Sequence, residues 1–156
     1  MIVVLLVAVI GVGVHEAVKE IEKITDKKVI DVGVGEVGEN GPLAIKVVGW
    51  TPSAGEEFNK PAAGKQFIVV DLEIKNTSAT SRIVSTMLAM SIKTPGGFEY
   101  EQAAYFPEPA YPDGDIQPGQ TARGNVAFEV PADIGAMTFV YDPTLQVGDI
   151  VQVKLK

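Results

Sequence analysis

The chain has 156 residues, 46% of them hydrophobic and 21% charged, the composition of a globular protein long enough to bury one substantial core. A formal net charge of -7 sets it against phosphate backbones and anionic headgroups, which excludes nucleic-acid binding through a basic face. There is no cysteine, hence no disulfide, no thiolate metal site, no thiol chemistry and no lipid-bearing cysteine.

Met1 to Val14 (MIVVLLVAVIGVGV) carries no charge. As a helix this run would reach about 21 Å, short of the roughly 30 Å hydrocarbon core of a bilayer. It also lacks the basic residue that normally leads a signal-peptide apolar region. Three readings stay open: a signal-anchor whose first residues are missing, a cleaved signal peptide, or a buried element of the domain itself. Export is the expectation. Residues 1–28 are read as an anchor or signal segment plus a short helix, and residues 29–156 as the folded domain.

His15 to Lys28 (HEAVKEIEKITDKK) continues with helical spacing, Val14, Val18, Ile21 and Ile24 falling on one stripe. Glu16 with Lys19, and Glu20 with Lys23, can pair on the wetted side. Such a helix serves either as a stalk or as a cover for the domain.

From Val29 the apolar period changes to two. Val29 to Val34 and Leu43 to Trp50 are expected strands, joined by a connection that ends in Glu39-Asn40-Gly41-Pro42. Gln66 to Asn76 is the clearest strand: Ile68, Val70, Leu72 and Ile74 alternate with Val69, Asp71, Glu73 and Lys75. Leu88, Met90 and Ile92 repeat the pattern before a turn at Thr94-Pro95-Gly96-Gly97, where Gly96 can take a positive φ. Phe98 to Glu101 would complete that hairpin. A second turn, Gln117-Pro118-Gly119-Gln120, leads into Thr121 to Val130, with Val126, Phe128 and Val130 facing one way and Pro131 ending the strand. Met137 to Tyr141 and Asp149 to Leu155 finish the set. Short strands punctuated by Gly and Pro, with no helix between them, predict an all-β antiparallel sandwich preceded by an N-terminal apolar helix.

The block GKQFIVVDLEIKNTS, then PGGFEYE, then IQPGQTARGNVAFEVP, resembles the domain-of-unknown-function family 4352 over roughly Val29 to Leu155. The resemblance implies an exported immunoglobulin-like β-sandwich, related in fold to an immunoprotective extracellular protein of mycobacteria. It brings no catalytic residues with it.

Several motifs could carry chemistry. Gly33-Val34-Gly35-Glu36-Val37-Gly38 is formally G-x-G-x-x-G, but a dinucleotide site needs a helix to start inside it, and here a turn follows. Between Pro95 and Asp149 nine acidic residues stand against Arg123 alone. Within that stretch Tyr111-Pro112-Asp113-Gly114-Asp115 resembles part of a calcium loop, and Asp113 and Asp115 are the candidate ligands if a cation binds. No glutamate occupies the closing position of an EF-hand, and a solvated turn explains the same residues.

The loop AAYFPEPAYP sets Tyr105, Phe106 and Tyr111 among three prolines. Rigid loop aromatics make good contact surfaces; alternatively they fold back over an open part of the sandwich. Asn76-Thr77-Ser78 is a glycosylation acceptor pattern, or a turn capped by its Asn. His15 is the only histidine, so neither a two-histidine metal site nor a Ser-His-Asp triad has its parts.

The expected function is a non-catalytic, extracytoplasmic immunoglobulin-like interaction module, membrane-anchored or secreted, without a required cofactor. Its partner would be a surface protein or envelope component, with membrane contact through the N-terminal segment only. A structural envelope domain is the alternative, and a calcium-binding exported protein a further one.

Overall fold

The computed structural model describes residues 14–144 and 146–156. The expected apolar segment before Val14 lies outside them. The first described element is a helix, α1 (Val14–Thr25), followed by strands β1 (Val29–Gly33), β2 (Val37–Glu39), β3 (Leu43–Ser53), β4 (Lys65–Asn76) and β5 (Arg82–Val84). One helical turn, α2 (Thr86–Ala89), precedes β6 (Met90–Lys93), β7 (Glu99–Glu101), β8 (Gly114–Ile116), β9 (Thr121–Pro131), β10 (Thr138–Tyr141) and β11 (Ile150–Lys154).

These strands form a β-sandwich. One sheet has the order β1-β11-β10-β6-β7, the other β2-β3-β4-β9, and β5 pairs with β8 at the side. The alternating residues face each other across the interior. Ile45, Val47, Ile68, Val70, Leu72, Ile74, Val126, Phe128 and Val130 meet Met90, Ile92, Phe139, Tyr141, Val151 and Val153, all buried. Phe128 and Phe139 bridge the sheets edge to face, ring centroids 6.1 Å apart. Each such side chain contributes about 1.5–3 kcal/mol of burial, so period-two alternation selects this face over its opposite.

Hydrogen bonds between the sheets define two ends. At the first, Asp149 N–H donates to Asn40 O (2.8 Å); beside it, within the five-stranded sheet, Ile150 N–H donates to Lys28 O (2.9 Å), just after α1. At the second, the Trp50 indole N–H donates to Leu155 O (3.2 Å). The β3–β4 connection and the β6–β7 turn belong to this second end. We call the two the helix end and the loop end.

Four expectations need correction. The sandwich is not wholly antiparallel, because β1 runs parallel to β11. The connection before Leu43 contains a strand, β2, whose Gly38 passes so close to Val151 that a Cβ would lie 2.5 Å from its Cγ1. Leu88 is not in a strand: α2 intervenes, its first turn capped by Ser85 Oγ, which accepts from Leu88 N–H. At the β6–β7 turn the positive φ falls on Gly97 (84°) rather than Gly96, as in a type I turn closed by a glycine bulge. The second turn holds as read: Gly119 has φ 78°, and Gln120 N–H donates to Gln117 O (2.9 Å).

α1 covers nothing. None of its described side chains is buried, and Val18 on its apolar stripe is exposed. Among the described residues no helix is long and apolar enough to cross a membrane.

Candidate binding surface

Gln102 to Tyr111 seals the outer edge of β9. Ala103 N–H donates to Ala127 O (2.8 Å), Tyr111 N–H to Asn125 O (3.0 Å), and Asn125 N–H to Pro109 O (2.8 Å). An open strand edge with this much apolar sequence invites pairing with another chain, and the loop removes that opportunity. The approach requires glycine at 124, where a Cβ would lie 2.4 Å from the Tyr111 backbone.

The same closure consumes two of the three aromatics expected to form a contact surface. Tyr105 is 7% exposed and stacks on Phe67, ring centroids 4.5 Å apart, in a small cluster on the outer face of the β4–β9 pair. Tyr111, also 7% exposed, enters the main core. Burial, with the nearby Tyr141 and Asp113, pushes its phenol well above the usual tyrosine range. Phe106 alone points outward, 61% exposed.

A second aromatic joins it from a loop that the alternation pattern passes over. Glu56 and Asn59 exchange backbone hydrogen bonds in both directions (3.0 Å each), which makes a tight hairpin tip with Phe58 at its crown, 96% exposed. Gly55, at φ 78°, is obligatory there, because a Cβ would meet Asn59 O at 2.1 Å. Asn59 Nδ2 then donates to Ala104 O (2.8 Å), bracing this tip against the aromatic loop. Phe58 and Phe106 therefore stand on two mutually supported loops at the loop end, flanked by the exposed Glu56, Glu57 and Glu108. The sequence signal for Phe58 was a single Phe inside Gly55-Glu56-Glu57-Phe58-Asn59-Lys60-Pro61, a stretch otherwise made of turn residues.

The remaining candidates serve the fold. Asp113 accepts from Thr86 N–H (3.0 Å) and from Thr86 Oγ1 (3.2 Å), securing the start of α2. Asp115 lies exposed on β8 opposite Ile83, with Ser81 Oγ 3.5 Å away. Among the described residues no three His, Cys, Asp or Glu side chains gather to hold a metal ion.

Asn76 is fully buried: its amide donates to Thr80 O and Ile116 O (2.8 Å each), and its Oδ1 accepts from Ser78 N–H (2.9 Å) and Ser78 Oγ (2.7 Å). A glycan on that nitrogen has no room in the folded domain. The Gly33–Gly38 run is a turn between β1 and β2, in which Glu36 accepts from Gly33 N–H (2.7 Å) and no helix begins.

Comparison with known proteins matches this geometry. The profile of the family described as "Domain of unknown function (DUF4352)" covers residues 32–150. No curated protein matches the sequence. Among solved structures, the secreted protein MPT63 of Mycobacterium tuberculosis is similar with a TM-score of 0.63 at 16% identity, covering 81% of this chain and 98% of its own. An uncharacterized β-sandwich protein of Clostridium difficile 630 gives 0.56 at 18% identity, over 83% and 96%. The yjhA protein of Bacillus subtilis gives 0.61 at 14% identity, over 81% and 99%.

Proposed function

This chain belongs to the DUF4352 family, and we propose that it is a non-catalytic, extracytoplasmic interaction module that binds a polypeptide partner through Phe58 and Phe106. Its strand order supports an immunoglobulin-like reading: β3-β4-β9 faces β11-β10-β6-β7, with the edge strand β1 added parallel to β11, as in sandwiches that bind through end loops. Similarity to a secreted β-sandwich and the uncharged run before α1 support placement outside the cytoplasm, tethered at the helix end.

One observation carries the binding reading. Two phenylalanines are held exposed on loops that are braced by hydrogen bonds and by the Tyr105–Phe67 stack. An exposed aromatic lowers stability in water unless something covers it, and a rigid one loses little entropy on being covered. Phe98, exposed on the β6–β7 turn at the same end, extends the apolar character of the surface. The flanking Glu56, Glu57 and Glu108 favour a partner with an apolar pocket rimmed by Lys or Arg.

The test is a photo-crosslinking amino acid placed at Phe58 or, as control, at Lys75 on the outer face of β4, in the native host. A discrete adduct at 58 that vanishes on Phe106→Ser supports the reading. Identical adducts at both positions, or none at 58, sink it, and the latter is the result for a purely structural envelope domain.

A further inference from the structure

The outer face of the five-stranded sheet is drier in one place than alternation predicts. Outward residues of a sandwich normally stay wet, yet Val140 is 2% exposed and Ser91 7%. The register sets Val140 opposite Ser91 and Ser91 opposite Glu101, one row across β10, β6 and β7, with Lys93 opposite Glu99 in the next row. Asp142, two positions past Val140, continues the same face, its N–H donating to Ala89 O (2.7 Å). These residues line a pocket of about 140 Å³, closed on one side by Met87 of α2.

The floor of this pocket holds a polar group with nothing to bond. Ser91 Oγ makes no hydrogen bond among the described residues, and a hydroxyl more than nine-tenths buried costs free energy until something satisfies it. Lys27 Nζ and Thr144 N–H both donate to Asp142 Oδ1, which leaves Asp142 Oδ2 unpartnered among the described residues. Three carboxylates, Glu99, Glu101 and Asp142, line the pocket with one ammonium, Lys93. Counting Lys27 on Asp142 as well, the surroundings stay negative.

We infer that this pocket binds a small organic cation through a primary ammonium group. An ammonium has three protons to donate, and Ser91 Oγ, Asp142 Oδ2 and the Glu101 carboxylate are three acceptors on one face. The chain already shows the chemistry: Lys27 Nζ, on a side chain 9% exposed, is held by the other oxygen of Asp142 and by Thr144 O. Val140 and Met87 give an attached alkyl chain an apolar bed, which a bare ion would not use. A divalent metal ion is disfavoured further, since among the described residues no three acidic side chains gather to hold one. The ammonium comes either on a free alkylamine or on a lysine side chain of a polypeptide. The pocket uses neither Phe58 nor Phe106, so the inference stands apart from the loop-end reading.

The test follows backbone amide shifts in NMR spectra of the full chain. One arm titrates n-butylamine, the other lysine blocked at both its backbone ends, and blocked norleucine, which lacks the ammonium, is the control. Both amines are expected to shift Ser91, Glu101 and Val140 saturably, and norleucine to leave them in place. Glu101→Gln should weaken binding about tenfold, the loss of one charge-assisted hydrogen bond, and Ser91→Ala should weaken it too. Glu73→Gln, on the outer face of the other sheet, should leave it unchanged. The dispersion of the same spectra shows whether each variant is folded, and Ser91→Ala, which removes only a hydroxyl, keeps the test available should Glu101→Gln misfold.

Binding of blocked lysine alone supports the inference and assigns the ammonium to a polypeptide; binding of butylamine alone supports it and assigns a free amine. Equal binding of norleucine, the same shifts with calcium, shifts that survive both Ser91→Ala and Glu101→Gln, or no saturable shift with either amine overturns it.

Discussion

Lys27 and Asp142, 115 positions apart, form a 2.8 Å ion pair that joins the segment after α1 to the loop after β10. The lysine side chain is 9% exposed and the carboxylate 44%. Partial burial works against the charged carboxyl, but the hydrogen bonds from Lys27 and from Thr144 N–H, with the charges of Lys27 and Lys93, outweigh it and hold Asp142 below the usual carboxylate range. A carboxyl with a depressed folded pKa contributes stability that is complete above its unfolded pKa and lost as pH falls through the folded one.

Asp142→Asn is therefore expected to lower stability by about 1 kcal/mol at neutral pH, read as a fall of about 2–4 °C in Tm. Thermal melts across an acid series check the sign: the gap between variant and parent closes as Asp142 of the parent becomes protonated. A gap that persists in acid would assign the effect to lost packing instead.

Gly124→Ala drives a Cβ to 2.4 Å from the Tyr111 backbone. Overpacking of this kind costs about 1–3 kcal/mol, and here the cost falls on the loop that seals the β9 edge. Hydrogen exchange should accelerate at the amides of Ala103, Tyr111 and Asn125 and remain slow in β10 and β11. The exposed edge should also raise the tendency to aggregate.

Asn76→Ala strips the donor from the buried Ile116 carbonyl and from the part-buried Thr80 carbonyl, and an acceptor from Ser78, at an expected cost of about 2–3 kcal/mol. Urea unfolding midpoints measure it. Asn76→Asp should be no better, since a carboxylate would face the carbonyl oxygens of Thr80 and Ile116.

Calcium at millimolar concentration is expected to leave Tm unchanged, because both Asp113 oxygens are engaged by Thr86 and a cation needs six to eight oxygen ligands. Asp113→Ala, in contrast, should destabilise by about 1 kcal/mol, as loss of a capping interaction does. A calcium-dependent rise in Tm that disappears in Asp113→Ala would reverse this assignment.

Much of the sandwich was legible along the chain. Ile68, Val70, Leu72 and Ile74 were identified as an inner face by alternation, and each is fully buried; Val126, Phe128, Val130, Val151 and Val153 behave alike. The family was legible too, because its turns depend on glycine and proline at particular places. Local pattern misled at Leu88, where an apolar residue two positions before Met90 reads as strand continuation. The helical turn there is capped by Ser85, which accepts from Leu88 N–H, and its start is also held by Asp113, distant in sequence, which accepts from Thr86 N–H. It likewise missed β2, which is too short to show a period and is paired only through its contacts with β3.

The loop aromatics mark the boundary most clearly. Their residue types, their prolines and their place between strands are sequence facts, and they made Tyr105, Phe106 and Tyr111 equal candidates for a surface. Burial of two and exposure of the third follow from how the segment lies along β9, which depends on the close approach at Gly124 and on the Phe67 ring. The same holds for Asn76, an acceptor motif by its neighbours and a buried hub by its partners at Thr80 and Ile116. Periodicity and turn chemistry are local, so the chain carries them openly. Which polar and aromatic groups remain at the surface depends on contacts between segments far apart in sequence, and those exist only once the two sheets have closed.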